Sequence, residues 1–318
     1  MTKKLTNKET AEFLLGHDNF AILTHRRPDG DTLGSSAALC LGLRAVGKTA
    51  HVIFNEETTE RFAWLHEGLT KESVEEGDIL VSVDVASPGM LPKAFEKYLG
   101  RIGLRIDHHG SATSFTENEL VEPHRAACAE IIYDLLTFMP IGKMEQNLAD
   151  AIYVGVSTDT GCFRYSNTTA HTFLVASMCA AAGARVYELN QVLFETNTLG
   201  RLKMQAWIVE NMTMLRGGEM ALVAIPLAVE EALDVTSDDM DNISSFPRTV
   251  AGVCMAATLR ETKEGEAKLS VRAIPGFDAA KIAEKFGGGG HKGAAGASIS
   301  LPLAEAAAEV EKAMLELK

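Results

Sequence analysis

The sequence predicts an α/β protein in which a parallel-sheet N-terminal domain is joined by a helical connector to a smaller α/β C-terminal domain. Three observations carry that expectation. First, residues 21–54 read as an apolar strand, a polar turn, an apolar helix ending at Gly47 and a second strand, which is one βαβ unit of a parallel sheet. Second, residues 78–83 are nearly continuously apolar, as strands buried on both faces are, and 103–106 form another short apolar strand. Third, a chain of 318 residues with 46% hydrophobic content is long for one domain and comfortable for two. The expected boundaries are 1–185 for the first domain, 186–215 for the connector and 216–318 for the second domain.

The formal charge of −13 argues against a grip on long duplex nucleic acid, which needs a broad basic surface. A small anionic ligand bridged by metal stays compatible, because bound cations reverse the local field. The five cysteines (Cys40, Cys128, Cys162, Cys179, Cys254) are scattered and include no Cys-x-x-Cys pair, so they read as thiols of a reducing cytoplasm. No signal-peptide core opens the chain and no apolar run approaches the ~18 residues of a spanning helix. A cytoplasmic protein with no membrane partner is expected.

A short helix over 11–15 precedes the strand that runs through Leu23. That strand delivers His25, and Asp29 and Asp31 follow around Pro28 and Gly30, with Thr32 as the helix-start signal. An imidazole and two carboxylates within seven residues repel and lose hydration unless a cation joins them, which is metal-site chemistry. Taken alone, such a pattern is more often a polar loop with a capping Asp. Three further segments tip the balance. The helix over 33–46 runs to Gly47, a natural C-cap, and a strand over 50–54 follows. In parallel sheets ligands gather beyond the carboxyl ends of the strands, which is where His25, Asp29 and Asp31 fall.

The strand over 78–83 ends in Asp84, again in ligand position, although Asp84 serves equally well as a cap before Ser87 and Pro88. The strand over 103–106 ends in Asp107-His108-His109-Gly110. Adjacent histidines at a strand end point to different sides, so one can bind metal while the other faces substrate. His17, His51, His66, His124 and His171 lack such company and read as surface or packing residues. Helices over 126–138 and 146–156 follow. The second runs into Ser157-Thr158-Asp159-Thr160-Gly161-Cys162-Phe163-Arg164-Tyr165, where Asp159 by itself is an incidental loop acid.

From residue 186 to about 215 the pattern is helical, with apolar Leu189, Leu193, Leu202, Ala206 and Val209 and a pivot expected at Gly200. Strands over 221–225, 253–259 and 268–273 then alternate with a helix over 278–286, and an amphipathic helix over 303–317 closes the chain. Alternation in Leu269-Ser270-Val271-Arg272 puts Ser270 and Arg272 on one face. Residues 263–268 form a charged hairpin turn. The run Gly287 to Gly290 offers N–H groups to an anion, and His291 and Lys292 add donors and charge. A flanking helix and an apolar run over 294–299 place it inside a fold, so it reads as a phosphate cradle.

His25-x3-Asp29-x-Asp31, Asp84, Asp107-His108-His109 and Asp159, in this order, resemble the four motifs of the DHH phosphoesterase superfamily. The resemblance continues in Phe286-Gly287-Gly288-Gly289-Gly290-His291-Lys292-Gly293-Ala294-Ala295-Gly296, which is similar to the glycine-rich signature of the DHH-associated C-terminal domain. It therefore covers almost the whole chain. Compact size and the phrase from Asp159 to Tyr165 look most like the branch of bifunctional oligoribonucleases and 3′-phosphoadenosine 5′-phosphate phosphatases, with Cys162 where a small Ser is common.

The resemblance implies a metal-dependent phosphoesterase whose partners are short RNA or a small nucleotide, with a homodimer left open. A phosphodiesterase for linear or cyclic dinucleotides is the alternative. A non-catalytic nucleotide-binding protein is disfavoured by the intact ligand set, and a family II pyrophosphatase by the single Lys292 beside the glycine run. By the same resemblance one metal is held by His25, Asp29 and Asp84, and a second by Asp31, Asp84, His108 and Asp159, with Asp84 bridging. Oxygen and imidazole ligands without thiolate suit Mn²⁺, with Mg²⁺ or Co²⁺ as substitutes. The implied nucleophile is an activated water, with His109 as general acid or charge stabiliser. Arg164, Arg272 and His291, with Gly288, Gly289 and Gly290, hold the terminal phosphate, and Tyr165 contacts a base.

Overall fold

Strands without polar alternation need cover on both faces, and the first part of the chain supplies it. The structure, a computed structural model, describes residues 2–110, 113–240 and 242–317. Its contacts divide into two units, Met1–Thr196 and Asn197–Lys318. The first holds β1 (Lys3–Lys4), α1 (Asn7–Leu15), β2 (Phe20–Leu23), α2 (Gly30–Ala45), β3 (Ala50–Ile53), α3 (Glu60–Ala63), β4 (Thr70–Lys71) and β5 (Ile79–Val83). It continues with β6 (Ile102–Asp107), β7 (Asn118–Val121), α4 (Cys128–Leu136), α5 (Gln146–Asp159), α6 (Ala170–Ala181) and α7 (Val186–Asn190), and α7 runs on as a π-helical turn over Gln191–Glu195. The strands form one sheet of order β1-β7-β6-β5-β2-β3-β4, parallel at every pairing.

Alternate residues of β2 enter different cores. Phe20 and Ile22 pack with Leu33 and Leu39 of α2, while Ala21 and Leu23 pack with Phe95 and Tyr98 on the other face. The strand order reverses between β2 and β5, with β3 and β4 to one side and β6 and β7 to the other. Loops leaving the carboxyl ends diverge at such a switch point and leave a crevice between them. The strands around it are the ones that lead into His25, Asp84 and Asp107.

Two helices are drawn together over this edge by glycines. A Cβ on Gly34 of α2 would lie 2.8 Å from the Gly155 nitrogen of α5, and one on Gly155 would lie 2.9 Å from Asp31 Oδ1. Only residues without a Cβ allow this approach, and it sets the end of α5, with Asp159, against the start of α2, with Asp31.

Local capping moves two helix starts from the expected places. Thr6 and Glu9 form a reciprocal capping box, so α1 begins at Asn7 rather than near residue 11. Asp29 caps α2 by accepting from the amides of Asp31 and Thr32, so the helix begins at Gly30 and Thr32 is not its start signal. The Thr32 hydroxyl instead donates to the Val83 carbonyl at 3.0 Å, tying α2 to the strand that precedes Asp84.

The second unit holds α8 (Leu199–Asn211), β8 (Thr213–Leu215), β9 (Met220–Ile225), α9 (Leu227–Ala232), β10 (Met255–Lys263), β11 (Glu266–Ala273), α10 (Ala279–Glu284), β12 (Gly289–Gly290), β13 (Ala294–Ile299) and α11 (Leu303–Leu315). Its sheet has the order β12-β13-β11-β10-β9-β8, parallel between β9 and β10 and antiparallel at the other pairings. Ile282 of α10 and Val310 and Met314 of α11 close the core over Leu269 and Val271 of β11.

The stretch over 186–215 is not one helix. The π-helical turn ends at Glu195, the backbone is extended at Thr196 and Thr198, and Thr198 caps α8 from its side chain. Residues Thr213–Leu215 are a strand of the second sheet. Gly200 lies inside the first turn of α8, where a Cβ would sit 3.1 Å from the Asp234 carbonyl, so it is packed rather than a pivot. Among the described residues no helix is long and apolar enough to cross a membrane.

Candidate metal centre

His25 is buried just past β2, and its Nδ1 lies 2.8 Å from the Arg26 carbonyl. That contact makes Nδ1 the N–H donor and leaves the Nε2 lone pair for a ligand. Nε2 sits 3.6 Å from Asp29 Oδ1 and 3.5 Å from Asp84 Oδ2. Asn55, after β3, fixes the same backbone by donating to the His25 carbonyl and to the Thr24 hydroxyl, each at 3.0 Å. His108 repeats the arrangement. Its Nδ1 is 3.2 Å from the Arg125 carbonyl, and its Nε2 is 3.8, 3.5 and 3.6 Å from Asp31 Oδ2, Asp84 Oδ1 and Asp159 Oδ2.

Such spacings are long for charge-assisted hydrogen bonds. They lie a few tenths of an ångström beyond the separation of two ligands on one cation, roughly 3.0–3.4 Å when each is ~2.1 Å from the metal. Ligand atoms group within 4.8 Å of one another in three overlapping sets: His25, Asp29 and Asp84; Asp31, His108 and Asp159; and Asp84, His108 and His109. Among the described residues Asp84 Oδ1 is buried without a hydrogen-bond partner, an orphan that a bound cation would satisfy. The residues present therefore fit a divalent metal.

Backbone geometry concentrates strain at this edge. Asp84 has φ 61° and Arg27 φ 48°, both in the left-handed region, and Gly161, Cys162 and Phe163 follow one another there at 56°, 58° and 62°. Left-handed runs of L-residues cost energy and persist where the surroundings hold them, as is common at functional sites. Asp31 is held from the side of α4. Its Oδ2 accepts from the Cys128 amide at 2.6 Å, and its Oδ1 from the Ala129 amide and the Ser35 hydroxyl, each at 3.0 Å. The start of α4 thus faces a carboxylate, which its dipole favours.

Electrostatics point the same way. Burial first, and then neighbouring carboxylates, push the Asp31 carboxyl well up and raise Asp84. Burial and the charge of Asp84 push Asp159 up to about 7. Burial works against a charged His25, yet the nearby carboxylates of Asp29 and Asp84 outweigh that and raise it to about 11. Crowded acids that would rather be protonated, beside imidazoles that would rather be charged, are a site built for positive charge.

One residue of the edge was not a sequence candidate. Asp107 is fully buried, and its Oδ1 accepts from the His108 amide at 2.9 Å, the His109 amide at 3.2 Å and His109 Nδ1 at 2.8 Å. Its place at the end of a strand beside two histidines was the available signal. Through the Asp107 bond, His109 is raised to about 9 despite burial.

The expected substrate residues fall in two places. Arg164 and Tyr165 are exposed on the left-handed turn after α5, with Arg164 Nε donating to the Gly161 carbonyl at 2.5 Å. Arg272 is half-buried on β11, and the His291 and Lys292 side chains are exposed after β12. The glycine run differs from expectation. The Gly287 amide donates to the Glu284 carbonyl at 3.1 Å, Gly288 to Ala283 at 3.0 Å and His291 to Ala294 at 2.8 Å. Gly289 and Gly290 pair with Gly296 and Ala295, and a Cβ on Gly290 would meet the Ala294 carbonyl at 2.6 Å. Gly287 and Gly288 use their amides inside the fold and Gly288 and Gly290 pack closely against β13, whereas a Cβ on Gly289 would meet nothing within 4 Å.

Residues 19–156 match the DHH family N-terminal domain and residues 224–317 the DHHA1 domain. The bifunctional oligoribonuclease and PAP phosphatase NrnA of Thermus thermophilus is 33% identical over 300 residues, covering 93% of this chain and 89% of that protein. The protein of the same name from Mycoplasma genitalium is 26% identical over 307 residues, covering 94% of each. A crystal structure of an exopolyphosphatase-related protein from Bacteroides fragilis has a TM-score of 0.88 at 22% identity, covering 98% of this chain and 95% of that one, a likeness of fold. With both domain matches in place and the Thermus protein similar along nearly its whole length, the chain belongs to the DHH phosphoesterase superfamily, in its NrnA-type branch.

Proposed function

We propose that the chain is a metal-dependent phosphoesterase that hydrolyses very short oligoribonucleotides and 3′-phosphoadenosine 5′-phosphate. The observation that carries this is Asp84, which turns Oδ2 toward His25 and Oδ1 toward His108 and so belongs to two ligand groups at once. The names of the NrnA relatives support the substrate class. His25, Asp29 and Asp84 would hold one divalent ion and Asp31, Asp84, His108 and Asp159 a second, with Mn²⁺ favoured by the oxygen and imidazole donors. When bound, such a pair supplies Lewis-acid polarisation of phosphoryl oxygens and a water activated near neutral pH.

The chain's own residues do the rest. The Arg26 and Arg125 carbonyls hold His25 and His108 in the tautomer that keeps Nε2 for the metal. Asp107 accepts from Nδ1 of His109 and favours the charged imidazole, whose Nε2 proton would then be available to a leaving oxygen. Arg164 in the first unit, and separately Arg272 and His291 in the second, are the side chains proposed to contact substrate phosphate, and Tyr165, 54% exposed, is the ring proposed for a base.

A panel of pApA, short RNA, 3′-phosphoadenosine 5′-phosphate, cyclic dinucleotides and pyrophosphate, assayed with Mn²⁺, Mg²⁺ and Co²⁺, tests the proposal. The expected order puts short RNA and 3′-phosphoadenosine 5′-phosphate first. Faster turnover of cyclic dinucleotides or of pyrophosphate would overturn the substrate assignment, and no metal-dependent turnover at all would overturn the enzyme.

A further inference from the structure

Arg105 lies on β6 two residues before Asp107 and is 1% exposed, in a sheet interior where a charged side chain needs a reason to be. Its Nη1 donates to the Ala86 carbonyl at 3.2 Å and to the Thr113 carbonyl at 2.9 Å, and its Nη2 to Glu119 Oε2 at 3.1 Å. Glu119 stands directly opposite on β7 and is 2% exposed. It also accepts from the Ser114 hydroxyl at 2.9 Å and the Phe115 amide at 3.1 Å. The Thr113 amide donates to the same Ala86 carbonyl at 2.9 Å, and the Arg105 guanidinium lies 5.1 Å from the Phe115 ring centroid.

The residues so joined have a common property. Ala86 is on the chain leaving Asp84, and Thr113 to Phe115 are on the chain beyond His109. We infer that Arg105 and Glu119 are positioning residues, a clamp that fixes Asp84 relative to the Asp107-His108-His109 step; the inference rests on those residues being the metal ligands and acid proposed above. Fold stability does not explain the pair. An apolar pair of like volume usually serves a core as well or better, and among the described residues Arg105 Nε is buried without a partner, so the desolvation is not fully compensated there. A planar fork that reaches two carbonyls and a carboxylate does what no apolar side chain can. Asp84 needs such support, since its left-handed backbone holds only where its surroundings hold it.

The test is the double variant Arg105→Met/Glu119→Leu, which removes the clamp without leaving one buried charge unpaired. Mn²⁺ affinity is read by calorimetry and by Mn²⁺ electron paramagnetic resonance, folding by circular dichroism, and kcat and KM on pApA. We expect a folded protein whose Mn²⁺ affinity and kcat fall ~10–100-fold, the range for lost outer-shell support, while KM changes little. Wild-type affinity and kcat in the folded double variant overturn the clamp. Arg105→Lys decides should the double variant not fold, because it keeps the charge opposite Glu119 and replaces the fork with one ammonium. A fall in Mn²⁺ affinity in that folded variant supports the clamp, and an unchanged affinity overturns it. A wild-type protein that binds no Mn²⁺ removes the metal-centre assignment itself, whereas Mn²⁺ binding by wild type beside an unchanged variant removes only the clamp.

Discussion

Asp107→Asn isolates the proton chemistry from the metal, because Asp107 sets the charge of His109 through a bond of 2.8 Å. That bond, opposed by burial and helped by the charges of Asp84 and Asp159, raises His109 from 6.5 to about 9. Bound cations would neutralise Asp84 and Asp159 and leave Asp107 as the main cause. The amide keeps an oxygen for the His108 and His109 N–H groups and removes the charge, so His109 returns toward 6.5. Near pH 7.5 an imidazole of pKa about 9 is ~97% protonated and one of about 6.5 is ~9% protonated, so the acid form falls about tenfold. At saturating Mn²⁺, where the cations lower His109 below its metal-free value in both proteins, kcat on pApA should fall by up to about tenfold near pH 7.5 and recover as the pH is lowered. The alkaline limb of the pH–rate profile should move to lower pH, by up to about 2.5 units. The new amide group replaces Oδ2, which is buried without a partner, so a stability loss of about 1–3 kcal/mol in urea accompanies the change. An alkaline limb in the same place in both proteins, at equal metal occupancy, would refute His109 as the acid.

Other perturbations probe the remaining links. Asp84→Asn, chosen because Asn tolerates the φ of 61° where Ala would add strain, should lower metal content by elemental analysis and reduce turnover below that of any other single-ligand variant; two retained metals with a near-normal rate would exclude the bridge. The Asp159 carboxyl, raised to about 7 by burial and Asp84, favours its protonated form in the fold. Its contribution to the metal-free protein is present below its ordinary 3.8 and is lost as pH rises through about 7. Tm of the stripped protein should fall across that window while the Tm gain on adding Mn²⁺ grows, and a pH-independent gain would contradict this. Gly155→Ala puts a methyl 2.5 Å from Ala129 Cβ and 2.9 Å from Asp31 Oδ1, and should cost about 1–3 kcal/mol and weaken Mn²⁺ binding. A stability loss with unchanged Mn²⁺ affinity would mean that the crossing does not hold Asp31. His291→Ala should leave metal content and hydrolysis of bis(p-nitrophenyl) phosphate intact while slowing nucleotide turnover, and equal losses on both would remove His291 from phosphate binding.

The α/β class, the parallel order of short strands and the candidate ligands were legible from residues 21–54, 78–83 and 103–109 alone. Buried parallel strands are largely apolar, so the acids and histidine at their carboxyl ends, His25, Asp84 and Asp107, mark that edge of the sheet without any tertiary information. Capping was half legible. Asp29 was weighed as a cap or a ligand, and its Oδ1 accepts the Asp31 and Thr32 amides while lying 3.6 Å from His25 Nε2. The connector was misread because the apolar spacing of Leu189, Leu193 and Leu202 is helical on each side of Thr196, and periodicity does not register an extended break of a few residues. The glycine run is ambiguous in sequence because a row of glycines looks the same whether it serves a ligand or a neighbouring strand; in the fold Gly288 and Gly290 pack against β13 while Gly289 is open. Asp159 reads by itself as an incidental loop acid and becomes a ligand candidate only through the family resemblance; the crossing of α2 and α5 at Gly34 and Gly155 brings it to 3.6 Å from His108. Arg105 was an ordinary strand residue until Glu119 stood opposite it in register. What the sequence determined by itself is what one residue's chemistry and its near neighbours settle, namely periodicity, caps and ligand types. Close approach, register and shared burial join residues far apart in the chain, and their energies exist only once the chain has folded.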